Sequence, residues 1–166
     1  MGGEGKTAGG ILQYSFPRAE RLMDGDMETP PTMGTATAIN FQPTGDGRAA
    51  ITGDFVLVAN EVDPVLRVLR TNGIEVTALH NHMLNDEPRL FFMHFWANDD
   101  AAKLARGLRA ALDKGAEVAV SQLGANNGFL NNDKVRIGLP SPLDKAAPVL
   151  QAMGRGQQLQ QLTESM

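Results

Sequence analysis

The chain has 166 residues, 42% hydrophobic and 20% charged, which suits one globular domain or one domain with an appendage. A net charge of −4 with no basic run excludes nucleic acid and anionic membrane as default partners. There is no cysteine, which excludes disulfides and thiolate metal sites, and no apolar run reaches the roughly 18 residues of a membrane span.

Residues 1–10 are glycine-rich and read as a flexible start without the apolar run of an export signal, so localisation is left open. Gly5-Lys6-Thr7 ends like a phosphate loop, but no strand precedes it and the leading glycine is missing. Ile11–Phe16 reads as a short strand stopped by Pro17. Residues 17–34 hold Pro17, Pro30, Pro31, Gly25 and Gly34 with the acids Glu20, Asp24, Asp26 and Glu28, and read as a surface loop. β-Branched residues alternate through Thr35–Gln42, which predicts a strand. Pro43–Gly47 is a turn cluster, and Ala49–Val58 is the returning strand. Gly53 inside that strand predicts a bulge or a close backbone approach.

Asn60 is the expected cap of a helix with Glu61 and Asp63 in its first turn, where Pro64 is tolerated. Val62, Val65, Leu66 and Leu69 make its apolar stripe, and Asn72-Gly73 ends it. The stretch Ile74–Trp96 follows, two apolar β-prone runs about a polar break with Pro88, and reads as a β-hairpin. Asn98, Asp99 and Asp100 are expected to open a second helix, with Leu104, Ala105, Leu108, Ala111 and Leu112 on one face. The predicted fold class is therefore α+β: an antiparallel sheet of about four strands with two helices on one face, in the order ββαββα.

Beyond Gly115 the texture changes. The helix is expected to run on toward Gly124, residues 125–133 to form a loop, and Val135–Leu139 a short extended piece. Ser141-Pro142 opens a short or kinked helix before the Gln-rich end. Residues 115–166 are charge-balanced, so the −4 resides in the front part. The expected domains are 1–114 and a mainly helical appendage, 115–166.

Several long segments carry a family resemblance: Tyr14–Arg18, Met33–Pro43, Ile51–Leu57, Asn72–His82 and Pro88–Trp96. On these, residues 9–112 resemble the LppY/LpqO lipoprotein homologues, a bacterial family of unknown function whose members are exported and often lipid-anchored. From Leu112 onward, Gly115–Gly124, Gly128–Leu130 and Val135–Pro140 resemble instead the C-terminal part of a second, uncharacterised bacterial family of small helical proteins. The seam falls within Ala110–Ala116. The chain thus reads as a chimera, whether natural recombinant, engineered fusion or generated sequence.

All three histidines of the chain, its only tryptophan and three of its seven phenylalanines lie in the Ile74–Trp96 stretch. His80 and His82 are two apart, so on a strand they share one face. A five-residue loop, Asn85–Arg89, pairs His80 with His94 and brings three imidazoles together. A four-residue loop pairs His94 with Leu79 and turns it away. The first arrangement is a nitrogen set for zinc or another divalent metal. Asp54, if its strand neighbours the hairpin, and Glu28 from the long loop are candidate carboxylates for it. The alternative is a structural role, with Asn81 and Thr77 as hydrogen-bond partners. Phe91, Phe92, Phe95 and Trp96 are expected in the core. No serine sits in a nucleophile elbow, and no catalytic residue is assigned.

Two functions follow. One is a domain that binds a divalent metal or small ligand through His80, His82 and His94, with water activation by the ion as its enzymatic form and Glu28 or Asp54 as base. The other is a non-catalytic interaction module whose 99–124 helix binds a protein partner or a second copy. A chimeric or generated chain could also act as neither parent family does.

Overall fold

The computed structural model describes residues 4–123. Nine strands, two helices and one 3-10 turn are found there. The calls for residues 125–166 (loop, extended piece, terminal helices) lie outside the described residues. Residues Met1–Val118 form one compact unit and Ala119–Met166 a second; the account below is of the first.

The architecture is α+β, with a sheet wider than the sequence suggested. Six antiparallel-paired strands run in the spatial order β1 (Lys6–Ala8), β2 (Ile11–Pro17), β5 (Ala36–Gly45), β6 (Arg48–Leu57), β9 (Phe91–Asp100), β7 (Glu75–His80). From Lys6 onward the start is paired rather than flexible: Gly9 and Gly10, both at positive φ, close a two-residue hairpin that pairs Ala8 with Ile11. Asp46 and Gly47 close the β5–β6 hairpin in the same way, with φ of 50° and 73°. Helix α1 (Ala59–Thr71) leaves β6 and returns the chain to the far edge as β7, and β9 then inserts between them. Strands β6 and β7 are therefore parallel members of a split β-α-β unit.

Alternation along the strands gives the sheet one dry face. Ile39, Phe41, Ile51, Phe55, Met93 and Phe95 meet Val65 and Leu69 of α1 and Leu104, Leu108 and Ala111 of α2 (Ala101–Leu123) in a single core. Gly53 faces that core between β5 and β9. A Cβ there would lie 1.9 Å from the Ala38 carbonyl oxygen and 2.9 Å from the Phe95 ring, so the expected close approach is a backbone contact that only glycine permits.

Three local expectations are corrected. Helix α1 starts one residue before the expected cap, with Val58 at its N-cap. Valine offers no side-chain acceptor, and the end is held instead by Glu61, whose carboxylate accepts the Val58 N–H at 2.9 Å. Pro64 is accordingly the sixth helical residue; the carbonyl it leaves free is that of Asn60, an exposed position where water can serve it. Asn98–Asp100 do not open α2 but finish β9, and Asp100 is the cap, accepting the Lys103 N–H at 2.7 Å.

The 17–34 segment is also more ordered than a loop. It contains β3 (Met23–Asp24) and β4 (Met27–Glu28), which with β8 (Asp86–Glu87) form a second, three-stranded sheet. Arg18 fastens its start. Its guanidinium makes a bidentate pair with Glu61 at 2.6 and 2.9 Å, binds Glu20, and donates to the Val56 carbonyl at 2.9 Å. Burial works against the Arg18 charge; hydrogen bonds to Glu61 and then Glu20 outweigh it and raise its pKa above the ordinary arginine value. Leu22 follows and packs with Val56, Leu90 and Phe92 in a small cluster on the sheet face opposite the helices.

Candidate metal centre

That opposite face is where the histidines stand. Strand register sets neighbouring rows across it. One row runs Ser15, Ala38, Asp54, His94, Ala78, and the next contains Val56, Phe92 and His80. His94 is thus opposite Ala78, and His80 opposite Phe92. The pairing differs by two residues from the five-residue-loop register and matches neither expected one. A two-residue slip preserves the face, so His94 and His80 still share it.

A bulge makes this possible. The β7–β9 register shifts between Val76 and Ala78, leaving Thr77 unpaired. Val76 pairs with the core residue Phe95, and in strict alternation His80 would share its face. The extra residue reverses the parity and turns His80 to the open side. His82 lies just beyond the end of β7 rather than on it. Its ring is stacked on Phe92, centroids 3.4 Å apart and 8° from parallel.

The 81–90 connection that carries His82 is pinned at several points. Asn81 donates to the Leu90 carbonyl at 2.5 Å, and the buried Asp86 accepts the Leu90 N–H at 2.9 Å and Arg89 at 3.1 Å. Strand β8 adds its pairing to β3. A loop held in this way fixes His82 before any ligand arrives.

The result is three imidazoles whose nearest ligand atoms all lie within 4.8 Å of one another. Ring centroids are 5.1 Å apart for His80–His82 and 4.9 Å for His80–His94. Among the described residues no hydrogen bond ties any of the three rings to the protein, and Asn81 is engaged with Leu90 instead. A tetrahedral ion with Zn–N near 2.0–2.1 Å needs nitrogens about 3.3 Å apart. The 4.8 Å limit exceeds that, so the rings would turn toward one another to share an ion; His80 and His82 are exposed, and His94 is half-buried.

Asp54 stands directly opposite His94 on β6, the neighbouring strand. Burial raises its carboxyl pKa, while His94 and then His82, a hydrogen bond from the Ala38 backbone, and His80 pull it back. His82 is lowered by burial first, its ring lying flat on Phe92, and then by His80; Asp54 opposes this and His94 adds to it. Four groups therefore feel one another electrostatically. Glu28 is not brought to them. It lies on β4, exposed, paired with Arg21 at 2.7 Å.

The aromatic residues divide by face and depth. Phe92 and Phe95 are buried, Phe91 is half-buried, and Trp96, expected in the core, is 46% exposed. Trp96 belongs to the helix-free face. Sequence reasoning missed the half-buried Arg18 and the buried Glu61 and Asp86, the charges that hold the site's surroundings. The only signals were a Glu at the third position after the N-cap and an Asp two residues before Pro88. A cleft of about 520 Å³ lies elsewhere, on the helix side between Leu12, Tyr14 and Phe41 of the sheet and Ala101 and Ala105 of α2, away from the histidines.

Fold and site together define an α+β domain with an open sheet face bearing a three-histidine, one-aspartate cluster. The chain belongs to the family described as Domain of Unknown Function (DUF1259), whose profile matches residues 1–114. A second profile, described as Protein of unknown function (DUF4197), matches residues 98–166, so the two share residues 98–114. No curated protein and no solved structure matches the chain. Among the described residues no helix is long and apolar enough to cross a membrane.

Proposed function

We propose that the front domain binds a divalent transition metal, zinc by preference, through His80, His82 and His94, with Asp54 completing or polarising the site. The observation that carries this is the convergence on one open face of three imidazoles that have no hydrogen-bond partner among the described residues. Imidazole suits zinc, and three nitrogens leave a fourth position for water or a ligand. In the catalytic form of this reading His80, His82 and His94 would hold the ion, a bound zinc would supply an acidified water, and Asp54 would accept its proton. Glu28, exposed on β4 and paired with Arg21, is left out of this reading.

Metal content of the purified chain and calorimetric zinc titration test the reading. One zinc per chain is expected, with zinc at one hundred times its dissociation constant stabilising the fold by about 2.7 kcal/mol. A chain without stoichiometric metal, whose zinc titration is unchanged in His82→Ala, would sink it.

We also read residues 1–114 as an LppY/LpqO-type domain joined to an appendage, 115–166. A second function, a protein contact through α2, is favoured by its burial pattern. Leu104, Leu108 and Ala111 are buried, no described side chain after Ala111 is, and Val120 is 66% exposed. Light scattering of the full chain decides it: a monomer at all concentrations, bound by no partner, removes this role.

A further inference from the structure

Beside the row that holds Asp54 and His94 lies another of different character. Gln13, Asn40, Thr52, Trp96 and Glu75 stand abreast across five strands on the same helix-free face. Trp96 is the only tryptophan of the chain and is 46% exposed, while Phe92, Met93 and Phe95 of the same strand are buried. No aromatic ring lies against it among the described residues. Its cross-strand neighbours are the Thr52 hydroxyl and the Glu75 carboxylate, both exposed and neither with a hydrogen-bond or ion-pair partner among the described residues. Farther along the row, Gln13 donates to the Asn40 side-chain oxygen at 2.9 Å, and Asn40 donates to the Thr52 carbonyl at 3.2 Å. The two amides are thus held in place, with the Gln13 carbonyl oxygen and further amide protons left over.

We propose that this row is the substrate platform of the metal centre and that its substrate is a neutral saccharide. The word substrate rests on the metal reading above; the platform itself rests on the row. A sugar ring presents an apolar C–H face, which an exposed indole can cover, and a rim of hydroxyls that both donate and accept. Glu75 and the Gln13 oxygen accept, the amides donate, and Thr52 does either. Trp96 is two residues from His94, so roughly 6.8 Å separates their backbones, about the width of one sugar ring. A saccharide seated on the indole reaches the neighbouring row, where Ser15, Ala38 and Ala78 are small enough to leave it room. Glu75 and Asp54 disfavour an anion on the row itself, and a lone indole offers a cation no aromatic cage.

The test uses the full chain loaded with zinc. Maltotriose, cellotriose, mannotriose and chitotriose are titrated while Trp96 emission, calorimetric heat and zinc content are followed on the same samples. At least one trisaccharide is expected to bind saturably and shift the emission. By calorimetry, Trp96→Ala should weaken that binding about tenfold or more with zinc content unchanged, and Trp96→Phe should restore part of it. Glu75→Gln and Thr52→Val should each weaken it severalfold. Binding that persists undiminished in Trp96→Ala overturns the placement. A chain that carries stoichiometric zinc but binds none of the four overturns the saccharide proposal and leaves the metal reading standing. One that binds a trisaccharide without taking up zinc overturns the metal reading and keeps the platform. Choline or phosphate moving the emission where no trisaccharide does overturns the ligand class.

Discussion

At the scale of single residues, Gly53 and His82 carry the sharpest expectations. Gly53→Ala forces a methyl to within 1.9 Å of a carbonyl oxygen in the middle of the sheet, so a strand must move. Urea unfolding should report a loss of about 3 kcal/mol or more, and a change below about 0.5 would mean that β5 and β6 separate freely. For His82 the sign follows from its lowered folded pKa. The unfolded chain takes up the proton first as pH falls, so the contribution is full above the ordinary histidine value near 6.5 and declines below it. Asp54, raised in the fold, contributes most below the ordinary carboxylate value and loses that contribution as pH rises through its folded pKa. In chelator-treated protein the unfolding midpoint should fall between about pH 6.5 and 5, and less so in His82→Gln. Identical profiles for variant and parent would detach His82 from the effect. The residue identities of this cluster were legible in the sequence because histidine is rare in the chain and confined to one hairpin. Asp54 could be named only conditionally, since nothing in its own strand says which strand lies beside it.

At the scale of elements, the sequence showed where strands and helices run but not how they are stitched. Alternation marked β5 and β6, and the apolar stripe marked α1. The helix start was misplaced because Asn60 looks like a cap, whereas a buried Glu61 clamped by Arg18 decides the matter. Breaking that pair should be costly, since Glu61 left alone is an uncompensated buried charge, while Arg18 left alone keeps only Glu20 as an ion partner among the described residues. Arg18→Met and Glu61→Gln are each expected to lose about 3–5 kcal/mol in urea unfolding, with strong coupling in the double variant. Additive losses would show that the two act separately. The bulge at Thr77 was equally hidden, because an extra residue in a β-prone run leaves no compositional trace. Deleting Thr77 removes only the unpaired residue, so Ala78, Leu79 and His80 should stay opposite His94, Met93 and Phe92 in plain alternation, with His80 still on the open face. Zinc uptake should therefore stay within about twofold of the parent while far-ultraviolet circular dichroism keeps its strand signal. A tenfold fall would mean that the local twist of the bulge, and not the register alone, aims the site.

At the scale of the whole molecule, the fold class was legible from the order of periodic segments, and the width of the sheet was not. Strand β1 is three residues in a glycine-rich run, and β3, β4 and β8 are two residues each, too short for any periodicity to register. Removal of 125–166 should leave a single cooperative unfolding transition, because the described core, from Ile39 to Ala111, already joins the sheet to both helices. Its disappearance would make the tail part of that core.

The placing of β9 between β6 and β7 has a kinetic consequence. Helix α1 has to deliver β7 with a gap one strand wide, roughly 9.6 Å from β6, and until β9 fills it neither neighbour is paired across that gap. His94 rides on the incoming strand, His80 and His82 wait on one bank, and Asp54 waits on the other. No subset of the chain ending before β9 can assemble the cluster, and the entering strand closes both ladders and the cluster in one step. A metal-sensitive probe should therefore stay silent through collapse and early helix formation, then respond with the same rate constant as the final gain of native signal.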